Sequence, residues 1–201
     1  MTTSGATPAP DASSEASSDA SSGSESGSGS GTGSGSASGA VTDYATYIAG
    51  LPRVLAAAAT VFRDEGGRVL IVEPNYREGW TLPGGTVEAD TGETPRQAAR
   101  RETAEEIGLD LAPGPLLAVD WVHGAARPPL VAYVYDGGVL TEERFAAIRL
   151  QAEELDSWKL VGRADLAGYL PGPLCLRVHA ALDALAAGRG PVELEDGRMA
   201  R

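Results

Sequence analysis

Cysteine and histidine are scarce in this chain, and their scarcity argues against several chemistries. The sequence has one cysteine, Cys175, and two histidines, His123 and His179, among 201 residues. A single cysteine cannot form an intrachain disulfide, so the signature of an oxidising compartment is missing. The two histidines are far apart, and no metal-ligand spacing joins them. A histidine-based metal site is therefore not predicted.

Long apolar runs and positive charge are also lacking. No apolar stretch approaches the roughly 20 residues that a bilayer-spanning helix needs. The first residues have neither the basic start nor the apolar segment of a secretory signal. The formal net charge of −12 would repel a nucleic-acid backbone or an anionic membrane surface. We therefore expect a cytoplasmic protein with neither nucleic acid nor membrane as a partner.

The first 40 residues have the composition of a linker. They contain 14 Ser, 8 Gly, no aromatic residue, and four acidic residues without a Lys or Arg. Such a segment buries too little apolar surface to offset its ordering entropy. The sequence thus predicts a disordered Ser/Gly-rich tail over residues 1–40 and a single domain over residues 41–201.

Beyond residue 40, short apolar segments alternate with turn signals, which is the pattern of a mixed α/β domain. A short helix is expected at Asp43–Ala49. Two strands, Val54–Phe62 and Arg68–Val72, are predicted to form a hairpin. Further strands are predicted at Leu116–Val122, Leu130–Tyr135 and Ser157–Val161, with a turn at Asp136–Gly138. A C-terminal helix that stops near Gly188 is predicted from apolar residues at helical spacing, namely Leu174, Val178, Leu182 and Leu185.

The most informative segment is GGTVEADTGETPRQAARRETAEEIGL, residues 84–109, which contains a helix with clear start and stop signals. Thr94 can cap its N-terminus, Pro95 suits the first helical position, and Gln97 completes a capping box. Gly108 fits the left-handed residue that commonly ends a helix.

Three glutamates of this helix project near one face, because Glu102 lies three and four positions before Glu105 and Glu106. Each like-charged pair costs about 0.2–0.5 kcal/mol, and the helix dipole disfavours anions at this end. Acidic runs on helices are usually solvated faces. Here, however, the upstream Gly84-Gly85 backbone can approach a metal or phosphate closely. The cluster therefore favours a site for a hard cation such as Mg²⁺.

The segment resembles the signature of the Nudix hydrolase family, G-x5-E-x7-R-E-U-x-E-E-x-G-U, in which U is apolar. The match is close from Glu93 to Leu109. It departs in a two-residue loop insertion between Gly85 and Glu93, and in Thr103 at the first U position. The preceding WTLPGG resembles an entry sequence common in that family. Over residues 54–185 the resemblance implies a Nudix-type α/β/α sandwich with a central mixed β-sheet.

The resemblance also implies a function. It implies a Mg²⁺- or Mn²⁺-dependent hydrolase that cleaves a phosphoanhydride bond in a nucleoside diphosphate linked to another moiety. The metal ligands it implies are Gly85, Glu102, Glu105 and Glu106. Glu105 or Glu106 would also orient the attacking water, while Glu93 and Arg101 would hold the ligating carboxylates in place.

Residues outside the signature supply further candidates. In some family members a glutamate from a later loop acts as general base, and here Glu153 and Glu154 are the candidates, with Glu154 favoured. Tyr76 and Arg77, in the loop before the signature, are candidate substrate contacts.

Two alternatives compete with this interpretation. A catalytically silent Nudix-fold nucleotide sensor or binding module is the first, but such proteins commonly lose acidic signature residues, and this chain keeps all four. Isopentenyl diphosphate isomerisation on the same fold is expected to use a cysteine near the strands before the signature, and Cys175 lies far downstream. The residues after the signature, including Pro128-Pro129 and Tyr133, match no subfamily motif. The substrate therefore stays open, as does a possible homodimer.

Overall fold

The computed structural model describes residues 43–124 and 127–201. The predicted tail over residues 1–40 lies outside these ranges. The chain divides into a unit that ends at Tyr44 and a unit, Ala45–Arg201, that contains the β-sheet. The helices are α1 (Tyr44–Ala49), α2 (Pro95–Ile107), α3 (Glu142–Ala146) and α4 (Gly172–Ala186). The strands are β1 (Leu55–Arg63), β2 (Val69–Pro74), β3 (Gly84–Thr86), β4 (Leu116–Val122), β5 (Leu130–Val139), β6 (Leu155–Val161), β7 (Val192–Glu195) and β8 (Arg198–Met199).

Within these ranges the strands form one mixed sheet in the order β6-β2-β1-β5-β4-β7-β8, with β3 paired to β1 outside this path. The pairs β1–β5 and β4–β7 are parallel, and the other pairs are antiparallel. One edge of β1 pairs with β5 along its length. Its other edge pairs with β3 through Ala57–Ala59 and with β2 only at Arg63. In the predicted hairpin, β1 and β2 thus pair only next to the turn that joins them. Farther from the turn, β3 takes the place of β2 beside β1.

Alternate residues of β1 contribute to cores on both faces of the sheet. Ala58 and Phe62 pack on the side of α2, whereas Ala59 and Val61 pack on the side of α4. The helix residues buried in these cores include Ala98, Ala99 and Ile107 of α2, and Val178, Ala181 and Leu182 of α4. Helices therefore cover both faces of a mixed sheet, and the predicted α/β/α sandwich is confirmed.

Helix α2 begins and ends as its local signals predict. Thr94 Oγ1 accepts a hydrogen bond from Gln97 N at 3.4 Å, and Gln97 Oε1 accepts one from Thr94 N at 2.9 Å. Pro95 is the first helical residue, and Gly108 ends the helix with a φ of 73°. These caps fix the first and last residues of the helix that carries the glutamates.

The predicted turn at Asp136–Gly138 is wrong, because β5 continues through these residues to Val139. The cause lies in the neighbouring strand. β1 offers ladder partners as far as Arg63, and the register shifts by one residue beside Phe62, so that Gly137 forms a β-bulge. A Cβ at Gly137 would overlap the Phe62 ring. The glycines therefore permit a bulge here, where the composition alone suggests a turn.

Several elements are absent from the sequence-based predictions, namely β3, α3, β7 and β8. The signal for the last two lies in Asp196-Gly197, which joins them with φ values of 48° and 79°. Two positive φ values in a two-residue loop are those of a type I′ hairpin turn, for which Asp-Gly is a preferred sequence. No helix in the described ranges combines the length and apolarity that crossing a bilayer requires.

Replacing the cap of α2 tests this description of the helix. We expect Thr94→Ala to lower the free energy of unfolding by about 1 kcal/mol, because the N–H of Gln97 loses its side-chain acceptor. Urea unfolding measures the change, and Thr94→Ser, which keeps the hydroxyl, is the matched control. Equal stability of the alanine and serine variants would contradict the capping role.

Candidate active site

The backbone of β3 lies directly against the acidic face of α2. Gly84 has a φ of 144°, and a Cβ there would overlap the backbone of Ala58 and Ala59. Its N–H donates a hydrogen bond of 2.7 Å to Glu106 Oε2. A Cβ at Gly85 would fall on the carboxylate of Glu102. Only glycine at both positions allows the strand and these two carboxylates to approach so closely.

Among the residues that the structure describes, no basic side chain forms a salt bridge with the buried carboxylate of Glu106. Its exposed fraction is 4%, and burial raises its pKa to about 8, aided by the charges of Glu102 and Glu154 and opposed by the Gly84 N–H and Arg77. Burial likewise raises the pKa of Glu102, although Arg101 opposes the shift. Glu106 therefore lacks a paired positive charge, whereas Glu102 is paired with Arg101.

Arg101 is the cation that holds the remaining acids in place. Its Nε donates to Glu93 Oε1 at 2.8 Å, and its Nη1 lies 2.9 Å from both Glu102 Oε1 and Glu105 Oε2. Its Nη2 reaches the Thr86 carbonyl at 3.1 Å. The bond to Arg101 lowers the pKa of Glu93. Arg101 thus pairs with Glu93, Glu102 and Glu105, and it also ties α2 to β3.

A cavity of about 400 Å³ brings most of the predicted site residues together. Its lining includes Tyr76, Gly85, Arg101, Glu102, Glu105, Glu106 and Glu154, together with Gly84, Thr86 and Glu88. Glu93 is not part of this lining, but it contacts the lining residue Arg101. The structure separates the two candidates of the later loop, since Glu154 lines the cavity and the exposed Glu153 does not.

The loop that carries Glu154 is fastened to both neighbouring elements. Gln151 N donates to the Glu106 carbonyl at 3.1 Å, which joins the loop to the end of α2. Asn75 N donates to the Glu154 carbonyl at 2.9 Å, which joins it to the end of β2. Glu154 is thus held beside the same cavity as the helix glutamates by backbone contacts that sequence spacing alone does not reveal.

The chemistry of the cavity fits a hard divalent cation. Its donors are carboxylate oxygens and glycine backbone, which is the ligand set that Mg²⁺ and Mn²⁺ prefer. The buried Glu106 has no salt-bridge partner among the described residues. No three acidic or histidine side chains in the described ranges already stand in metal-ligating geometry. Arg101 instead supplies positive charge to Glu102 and Glu105. A cation would therefore require these two side chains to turn from Arg101.

A second cavity, of about 350 Å³, adjoins the first, because Gly84 and Gly85 line both. Arg77 lines this second cavity, whereas its neighbour Tyr76 lines the first. The second cavity also exposes a residue that the sequence analysis does not single out, Arg177 of α4, which is paired with Asp120 of β4. The signal for that pair was the acid within the otherwise apolar run LLAVDWV.

Comparison with known proteins agrees with this geometry. The family model described as the NUDIX domain matches residues 52–178. The chain is 36% identical over 61 residues to an 8-oxo-dGTP diphosphatase of Haemophilus influenzae, covering 28% of this chain and 43% of that protein. It is 37% identical over 75 residues to YjhB of Bacillus subtilis, covering 37% of this chain and 34% of that protein. The chain thus spans less than half the length of these curated relatives.

Solved structures show the same fold. The NUDIX domain of Shewanella oneidensis NrtR, complexed with ADP ribose, superposes with a TM-score of 0.57 at 20% identity, covering 72% of this chain and 99% of that chain. A MutT NUDIX hydrolase from Burkholderia pseudomallei superposes with a TM-score of 0.53 at 24% identity, covering 65% and 97%. Since the family model matches more than half of the sequence and includes the acidic helix and its glycine strand, the chain belongs to the Nudix hydrolase family.

Proposed function

We propose that the protein hydrolyses a phosphoanhydride bond in a nucleoside diphosphate linked to another moiety, with Mg²⁺ or Mn²⁺ as cofactor. The observation that carries the proposal is the cavity in which Glu102, Glu105, Glu106 and Glu154 surround the glycine backbone of β3. Such a concentration of acid repels an anionic substrate unless a cation bridges the two. The glycines leave room for that bridge, because no side chain shields the carboxylates on the strand side.

In this proposal Glu102, Glu105, Glu106 and the Gly85 carbonyl hold the cation. When bound, the cation neutralises diphosphate oxygens and lowers the pKa of a coordinated water. Glu93 supports the ligands indirectly, because its carboxylate fixes Arg101, which in turn contacts Glu105 and Glu102. Arg101 also stands close enough to offset negative charge on the substrate.

Glu154 is proposed to take the proton of the attacking water, with Glu105 or Glu106 orienting that water. The cavity supports this division of roles, since Glu154 lines it together with the helix glutamates but comes from a different element. A base must lie within reach of the proton that it removes, and a base outside α2 leaves the helix acids free for the metal.

The substrate would extend from the acidic cavity into the second cavity along Gly84 and Gly85. Tyr76 and Arg77 flank this passage and are the proposed substrate contacts. Two comparisons support a nucleotide substrate: one relative is named an 8-oxo-dGTP diphosphatase, and one structural neighbour is complexed with ADP ribose.

A hydrolysis assay tests the proposal. Phosphate or nucleotide release would be measured from dNTPs, ADP-ribose, nucleotide sugars, NADH and dinucleoside polyphosphates, with and without Mg²⁺. We expect metal-dependent cleavage that Glu106→Gln lowers by at least about 100-fold, since even supports of metal ligands are worth 10–100-fold. Glu153→Gln, the same change outside the cavity, is the control and should retain activity. A folded protein that cuts none of these compounds would contradict the proposal and favour the nucleotide-binding module.

The buried charge of Glu106 also predicts a cost in stability when metal is removed. The folded-state pKa of Glu106, about 8, lies above its ordinary value of 4.5. Deprotonation is therefore harder in the folded state, and stability falls as pH rises from about 4.5 through 8. In EDTA, we expect Glu106→Gln to raise the melting temperature, by more at pH 9 than at pH 5.

Thermal unfolding at the two pH values measures this difference, at roughly 2–4 °C for each kcal/mol relieved. Glu153→Gln should show no such pH-dependent gain. A glutamine variant less stable than the parent at pH 9 would show that the Glu106 carboxylate is not under electrostatic strain.

A further inference from the structure

The second cavity is an apolar slot above the sheet. Its floor consists of the small residues Ala57, Ala59 and Ala132, and Leu82 and Leu174 form part of its walls. The alanine run of β1 creates this space, because larger side chains on that face would fill it, as Val61 does further along the strand. A flat, largely apolar group fits such a slot better than a fully charged one.

One fixed cation borders the slot. Arg177 Nε lies 2.6 Å from Asp120 Oδ2, and the exposed fractions of the two side chains are 11% and 0%. The Nη groups of Arg177 have no hydrogen-bond acceptor among residues 43–124 and 127–201, and neither is sealed from solvent. Two donors of a rigid, planar group therefore remain available at the cavity.

Asp120 is itself held by the C-terminal hairpin. Both of its carboxylate oxygens accept from Gly197 N, at 3.1 Å and 2.9 Å. Gly197 has a φ of 79°, and a Cβ there would overlap the Pro173 carbonyl, so that glycine is required at this contact. The hairpin lies beyond residues 52–178, the part that the family model matches. The orientation of Arg177 thus depends on a segment outside the residues that the family model matches.

The pairing with Asp120 decides what Arg177 prefers to bind. A guanidinium that is already neutralised by a buried carboxylate gains little from a second full anion, but its free N–H groups still need acceptors. Arg77 is placed differently, since it lines the same slot but its charge acts on the carboxylate of Glu106 in the acidic cavity. We therefore assign the phosphates of the substrate to Arg77 and the proposed metal site. We assign an uncharged hydrogen-bond acceptor of the substrate to Arg177.

We propose that Arg177 is a specificity-determining residue that selects a guanine base in the alanine-floored slot, positioned by Asp120 and Gly197. This inference rests on the proposed function, which places the nucleotide across Gly84 and Gly85. Guanine presents two neighbouring acceptors, O6 and N7, that match two N–H donors of an arginine, whereas adenine presents a donor beside N7. An adenine in the same position would oppose its amino group to the guanidinium.

Calorimetric titration of the full chain with Mg²⁺ tests the proposal without turnover. The ligands are the α,β-methylene analogues of GDP and ADP, in which CH₂ replaces the bridging oxygen. We expect the guanine analogue to bind about 10-fold tighter or more, the usual size of discrimination by a two-point arginine contact. Arg177→Lys, which keeps a cation beside Asp120 but loses the planar fork, should reduce the preference to less than about threefold.

Arg163→Lys is the matched control. Arg163 also pairs its guanidinium with an acid of α4, Asp183 at 2.7 Å, but it does not line the slot, and its substitution should keep the full guanine preference. The 7-deazaguanine form of the ligand, which lacks the N7 acceptor, tests the same contact on the unaltered protein. It should bind to wild type about as weakly as the adenine analogue, so the test holds even where Arg177→Lys fails to fold.

Equal affinity of wild type for the guanine and adenine analogues, or an undiminished preference in folded Arg177→Lys, would overturn the proposal. Metal-dependent hydrolysis without base preference would refute the role of Arg177 and leave the hydrolase function intact. A guanine preference lost in Arg177→Lys, in a protein that cuts no nucleotide, would support the role of Arg177 and refute the hydrolase function.

Discussion

The hydrogen bond from Gly84 N to the buried carboxylate of Glu106 is the contact on which the site depends. It brings the short strand β3 against the end of α2 and stabilises the ionised form of a carboxylate that burial strongly disfavours. Because a side chain at Gly84 or Gly85 would push the two elements apart, the glycines fix the distance between backbone and acids. Both cavities share this pair of glycines, so the same local constraint shapes the two parts of the proposed substrate site.

The electrostatics of the acidic cavity favour binding a cation over maximal stability. Glu102, Glu105, Glu106 and Glu154 converge on one space, and their mutual repulsion is only partly offset by Arg101. A buried carboxylate without a countercharge destabilises the fold, and the structure tolerates this at the point where ligand binding would relieve it. Natural proteins commonly give up stability at functional sites.

The sequence predicts what local chemistry determines. The cap at Thr94, Pro95 and the stop at Gly108 define α2 to the residue, and strand periodicity locates most of the sheet. The sequence does not predict contacts that depend on the fold. Asp136–Gly138 forms a bulged strand because its partner β1 extends past it. Glu154 joins the helix glutamates at one cavity, and Arg177 contacts Asp120, only because the fold brings distant segments together. The role of each site residue stays a prediction.

The central claim is that the acidic cavity holds a divalent cation, and Mn²⁺ titration followed by electron paramagnetic resonance tests it most directly. We expect the wild-type chain to remove the sharp signal of free aqueous Mn²⁺ in proportion to protein, and a chain carrying both Glu102→Gln and Glu106→Gln to leave that signal unchanged. If free Mn²⁺ stayed in solution beside folded wild-type protein, or if the double variant bound it equally well, the carboxylates around Gly84 and Gly85 would not be a metal site.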